Sequence, residues 1–109
     1  MSNLADVKQT EVKVNLGGKE RILKYNFGAY AKLEEMGHGN FLKTMEDIEG
    51  MSMKTIRDVL YVGLRTEDKT ISLEQIDSWG EDFEQIQNVI EKITLAITGP
   101  LPQTDQAKN

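Results

Sequence analysis

The chain has 109 residues, 39% of them hydrophobic, which suits one domain with its own core and is too little for a membrane protein. No apolar run approaches the roughly 18 residues that cross a bilayer, and the start, Met-Ser-Asn-Leu-Ala-Asp, lacks the character of a secretory signal. The absence of cysteine removes disulfides and thiolate chemistry, and a net charge of −5 argues against nonspecific nucleic-acid binding; a cytosolic protein is the natural expectation.

Residues 1–10 are polar and aperiodic and read as a loose N-terminal lead-in. Val12, Val14 and Leu16 then alternate with Lys13 and Asn15, the period of a half-buried strand. Gly17-Gly18 supplies a turn with positive φ, and Lys19 to Tyr25 returns as a second strand. A two- or four-residue loop places Leu23 and Tyr25 on the face of Val12 and Val14, whereas a three-residue loop would place Ile22 there. The even loop is preferred because Phe27 continues that face.

The stretch Ile22 to Gly37 is expected to organise the fold. Its strand alternation changes at Asn26 into a helical recurrence of Phe27, Tyr30, Leu33 and Met36, with Asn26 as N-cap and Gly37 as the left-handed stop. His38-Gly39-Asn40 is a loop. Asn40 caps a short helix whose apolar side is Phe41, Leu42, Met45 and Ile48, ended by Gly50. Ser52 opens a helix with a stripe of Met53, Ile56, Val59, Leu60, Gly63 and Leu64. A glycine inside that stripe predicts the close approach of another element.

Ser72-Leu73-Glu74-Gln75 is a capping box, flanked by Ile71 and Ile76 at the positions of a hydrophobic staple. That helix should end or bend near Trp79-Gly80. A last helix from about Asp82 carries Phe83, Ile86, Ile90, Ile93 and Ile97 at three–four spacing, widened by Val89 and Ala96, until Gly99-Pro100 stops it. This seam has two readings: a core face, or a surface that binds a partner helix through those five residues. Residues 100–109 read as a disordered C-terminal tail, leaving 11–99 as a single α+β domain: an N-terminal antiparallel β-hairpin packed against a bundle of four to five helices. Leu33, Ile56, Leu60 and Ile90 are the expected core.

No catalytic, cofactor-binding or metal-ligating set emerges. His38 is the sole histidine, sits between glycines, and has no cysteine to share a metal with. Gly37-His38-Gly39 lacks the later Gly-Lys-Ser/Thr of a phosphate loop, and no serine occupies a nucleophile elbow. The carboxylates Glu34-Glu35, Glu46-Asp47-Glu49 and Glu81-Asp82-Glu84 fall on polar helix sides and read as solvated faces, with Glu34 placed to meet Arg57 in an ion pair. The expectation is a protein without enzymatic activity.

The order of parts resembles the tail assembly chaperones of long-tailed, non-contractile bacteriophages and related prophages. In that family a hairpin precedes an aromatic, Ala, x, x, Leu-Glu, x, x, Gly helix, which Phe27, Ala29, Leu33, Glu34 and Gly37 match. A helix ending in Gly-Leu and an acidic connection follows, as in Val62-Gly63-Leu64-Arg65-Thr66-Glu67-Asp68. Then comes a threonine- or serine-led helix, as in Thr70-Ile71-Ser72-Leu73-Glu74-Gln75-Ile76. The resemblance covers Val12 to Ile97. It implies a scaffold in the cytoplasm of the bacterial host that coats and solubilises the helical tape-measure protein, helps recruit tail-tube protein, self-associates along its partner, and is absent from the finished virion. It also implies a longer product made by ribosomal frameshifting, which codons for Ala107-Lys108-Asn109 permit. Two alternatives stand beside it: a small regulatory DNA-binding protein using Ser52 to Gly80 as a helix-turn-helix-like segment, and an unrelated acidic adaptor. Against the former, the Ser72 helix offers only Gln75 as a reader beside Glu74 and Asp77.

Overall fold

The computed structural model describes residues 11–79 and 86–98. Strands β1 (Val12–Leu16) and β2 (Lys19–Leu23) form an antiparallel hairpin. Among the described residues five helices follow: α1 (Phe27–Glu35), α2 (Phe41–Glu49), α3 (Met53–Arg65), α4 (Leu73–Ser78) and α5 (Ile86–Thr98). The architecture is α+β. The lead-in at 1–10, the tail at 100–109, Phe83, the helix start near Asp82 and the Gly99-Pro100 stop lie outside the described residues.

The hairpin pairs Val12 with Leu23, Val14 with Arg21 and Leu16 with Lys19, so the loop is Gly17-Gly18 alone, with φ of 64° and 78°. Two consecutive positive φ values make the primed turn that matches strand twist, and the even register stands. Opposite Val14 the core-side position is Arg21. Its Nε donates to the Leu16 carbonyl at 2.8 Å, and its guanidinium lies 4.3 Å from the centre of the Trp79 ring. The indole also packs on the bare Cα of Gly17, so Trp79 closes the turn end of the hairpin.

The starts of α1 to α4 are each built by a side chain that accepts an otherwise orphaned amide. Asn26 accepts from Ala29, Asn40 from Lys43, Ser52 from Thr55, and Ser72 from Gln75, whose own side chain accepts the Ser72 amide to complete the box. Ile71 and Ile76, at the staple positions, are both buried. Gly37, at φ 96°, follows the end of α1.

The hub of the fold is α3, which touches β2 and the four other described helices. This corrects the expectation that Ile22 to Gly37 organises the chain. Thr55, Ile56, Asp58, Val59, Leu60, Val62, Gly63 and Leu64 are all buried, because a helix surrounded by other elements has little outward face left. The hairpin contributes Val12, Val14, Leu16 and Leu23, and α5 contributes Val89 and Ile93 against β1, β2 and α3.

Several apolar residues lie elsewhere than expected. Phe27 is 91% exposed: the strand ends at Leu23, so alternation no longer governs the residues beyond it, and the Asn26 cap turns the first helical side chain outward. Tyr25 takes the place at the core margin instead. In α2 the buried residues are Thr44 and Ile48, while Phe41 and Leu42 are exposed, because only one narrow side of this helix is covered. Met53 is exposed in the first turn of α3, and Ile90 is half-buried, unlike Leu33, Ile56 and Leu60. Glu34 is exposed, and Arg57 pairs with Asp58 and Asp77 rather than with it.

Candidate functional site

The strongest polar cluster centres on a residue that local patterns pass over. His38 and Asp58 are 6% and 1% exposed, and Nε2 of the imidazole lies 2.7 Å from Oδ2 of the carboxylate. Gly37 and Gly39, both at positive φ, turn the loop so that the ring faces α3, while the His38 amide donates to the Leu33 carbonyl. Nδ1 lies 3.5 Å from the Thr55 hydroxyl. Lys54 Nζ at 2.9 Å and Arg57 Nε at 3.0 Å also donate to Asp58. Burial alone would raise the Asp58 pKa, but the hydrogen bonds from His38, Lys54 and Arg57 and the nearby guanidinium charge outweigh it and hold the carboxyl below its ordinary value.

Threonine, histidine and aspartate in a row suggest a nucleophile relay, but Thr55 is itself buried. The cluster ties the α1–α2 loop to α3. The pairing spans 20 residues, and no local pattern announces it. Among the described residues there is no group of three or more His, Cys, Asp or Glu side chains able to hold a metal, and no helix long and apolar enough to cross a membrane.

Apolar surface gathers elsewhere. Between α1, α2 and the end of α5 lies a cleft lined chiefly by Tyr30, Leu33, Phe41, Met45 and Ile97, with Glu34 at its margin. The Tyr30 and Phe41 rings meet edge to face at 5.8 Å, and Tyr30 also stacks on Tyr25 at 6.0 Å. The cleft encloses about 30 Å³, far below the roughly 300–1,000 Å³ of small-molecule sites. It admits the tip of one side chain.

The five seam residues of the last helix divide. Ile93 is fully buried in the chain's own core; Ile86, Ile90 and Ile97 are half-buried against it; Phe83 is outside the described residues. Of these, Ile97 reaches the cleft. In α4, the six-residue helix on which the DNA-binding alternative depends, Gln75 is committed to the capping box, and Glu74 and Asp77 present carboxylates that repel phosphate. A broader cleft carries Lys32, Arg65 and Lys69, but Arg65 is spent on the Lys69 and Ile71 carbonyls and lies over the Tyr61 ring.

No family model matches the chain, and no curated protein or solved structure matches it either.

Proposed function

We propose that this protein is a tail assembly chaperone of a long-tailed, non-contractile phage or prophage, a non-enzymatic scaffold that holds the tape-measure protein soluble and helps recruit tail-tube subunits. The observation that carries the reading is the order of elements together with the positions of the motif residues within it. A hairpin leads into α1, where Ala29 and Leu33 face the core and Gly37 turns the chain; α3 follows, with Gly63-Leu64 buried, and the capping box opens α4. Exposed apolar side chains on an acidic chain suit a protein that holds other proteins. Moderate contacts repeated over many copies would let such a coat be released.

The test is co-expression with the long helical open reading frame expected just downstream of this gene. The tape-measure protein should shift from the insoluble to the soluble fraction and co-purify with this chain. Unchanged solubility and no co-purification would overturn the reading.

A further inference from the structure

We infer that the cleft between α1, α2 and the end of α5 is a docking groove for an amphipathic helix of another protein, one whose apolar stripe is flanked by lysine or arginine. The inference rests on the chaperone reading only in expecting a helical partner; the place and the charge of that partner come from the surface itself. Tyr30, Leu33, Phe41, Met45 and Ile97 form an apolar floor that closes around a single side-chain tip. Phe27, one helical turn before Tyr30, is 91% exposed, and Phe41, in the floor itself, is 45% exposed. Large apolar side chains left in water at a groove between helices suit the ridge of a further helix.

Charge decides which helix. Of the three helices around the cleft, α1 and α2 carry Lys32 and Lys43 against Glu34, Glu35, Glu46, Asp47 and Glu49, and α5 adds one charge of each sign, Glu91 and Lys92. The lysines of α1 and α2 pair within their own helices, Lys32 with Glu35 at 3.7 Å and Lys43 with Asp47 at 3.1 Å. Glu34, Glu46 and Glu49 are exposed and, among the described residues, have no ion pair; Glu34 borders the cleft itself. A second copy docking here by twofold symmetry would set acidic rim against acidic rim, a repulsion that disfavours that partner. A basic-flanked stripe meets the floor with its apolar side chains and the rim with its cations.

The experiment measures fluorescence anisotropy of three labelled peptides of about 20 residues with the full chain. One has a leucine stripe at helical period flanked by lysines. The second replaces those lysines by glutamates. The third scrambles the first. The striped basic peptide should bind at least about tenfold more tightly than either control. Phe41→Ala should weaken it by about tenfold, and Glu34→Lys should reverse the preference between basic and acidic stripes. Both residues are solvent-facing, and an unchanged unfolding midpoint verifies that the variants fold.

Equal binding of the scrambled peptide, or indifference to both substitutions, overturns the inference. So does a homodimer that Phe41→Ala dissolves, which would make the occupant a second copy. Co-purified tape-measure protein that ignores Phe41→Ala and Glu34→Lys sinks the groove and leaves the chaperone standing. A groove that binds the basic stripe, with no tape-measure co-purification, does the reverse.

Discussion

Tyr25 lies across Gly63 so closely that a methyl group on the glycine would sit 2.5 Å from the Cζ and hydroxyl oxygen of the phenol. The same ring donates its hydroxyl to the Val59 carbonyl at 2.7 Å, and the Lys24 amide donates to the Gly63 carbonyl at 3.1 Å. Burial, and then the neighbouring Tyr30, push the Tyr25 phenol well above its ordinary pKa, so it remains a donor. The chain leaving β2 is thereby fastened to the middle of α3.

Gly63→Ala tests that fastening because two effects oppose each other. Alanine favours the helix by about 1 kcal/mol. Forcing a methyl against a ring held by its own hydrogen bond costs about 1–3 kcal/mol, with about 1 kcal/mol more if the Tyr25 bond breaks. The variant should therefore lose up to about 3 kcal/mol in urea unfolding, and adding Tyr25→Leu should recover part of the loss. A Gly63→Ala chain more stable than wild type would refute the close approach.

The His38–Asp58 pair makes a pH prediction whose sign follows from the lowered Asp58 pKa. The folded state holds the carboxylate more acidic than the unfolded chain does. Its contribution is therefore complete above the unfolded aspartate value, near ~4, and is lost as pH falls through the lower folded value. Asp58→Asn should be less stable than wild type at pH 7 by about 1–3 kcal/mol, since buried His38 keeps only a weaker partner. The gap between the two unfolding midpoints should narrow as the pH drops below ~4. A gap that stays constant down to pH 2 would show that the charge on Asp58 contributes nothing.

What could be read from the residues was what neighbours in sequence decide. Alternation from Val12 to Leu16 with Gly17-Gly18 announced the hairpin but not its register, since Phe27, the reason for preferring an even loop, is exposed; Ser72 and Gln75 set a helix start, and a glycine in the α3 stripe announced a close contact. What could not be read depended on which elements meet. Nothing local to His38 names Asp58, and nothing local to Trp79 names Gly17 and Arg21. Phe41 and Leu42 obey an amphipathic pattern as well as Ile48 does, yet only Ile48 meets covering partners. The apolar cleft was invisible for the same reason: its floor comes from three helices, and Ile97 was the one member among the expected partner-binding residues.

That distinction between patterned and covered apolar residues gives the last prediction. Leu60 is fully buried in α3, the helix that the four other described helices touch, whereas Leu42 is 69% exposed on α2. Truncating Leu60 removes apolar contacts on every side and leaves a cavity that the surrounding helices cannot close without moving together. Leu60→Ala should cost about 2–5 kcal/mol. The same truncation at Leu42 removes a side chain already in water and should change stability by no more than about 0.5 kcal/mol. Urea unfolding of the two variants side by side measures the difference. Equal losses would mean that Leu42 is covered in solution, by a second copy or by a segment of this chain. An unchanged midpoint for Leu60→Ala would mean that α3 is not the hub.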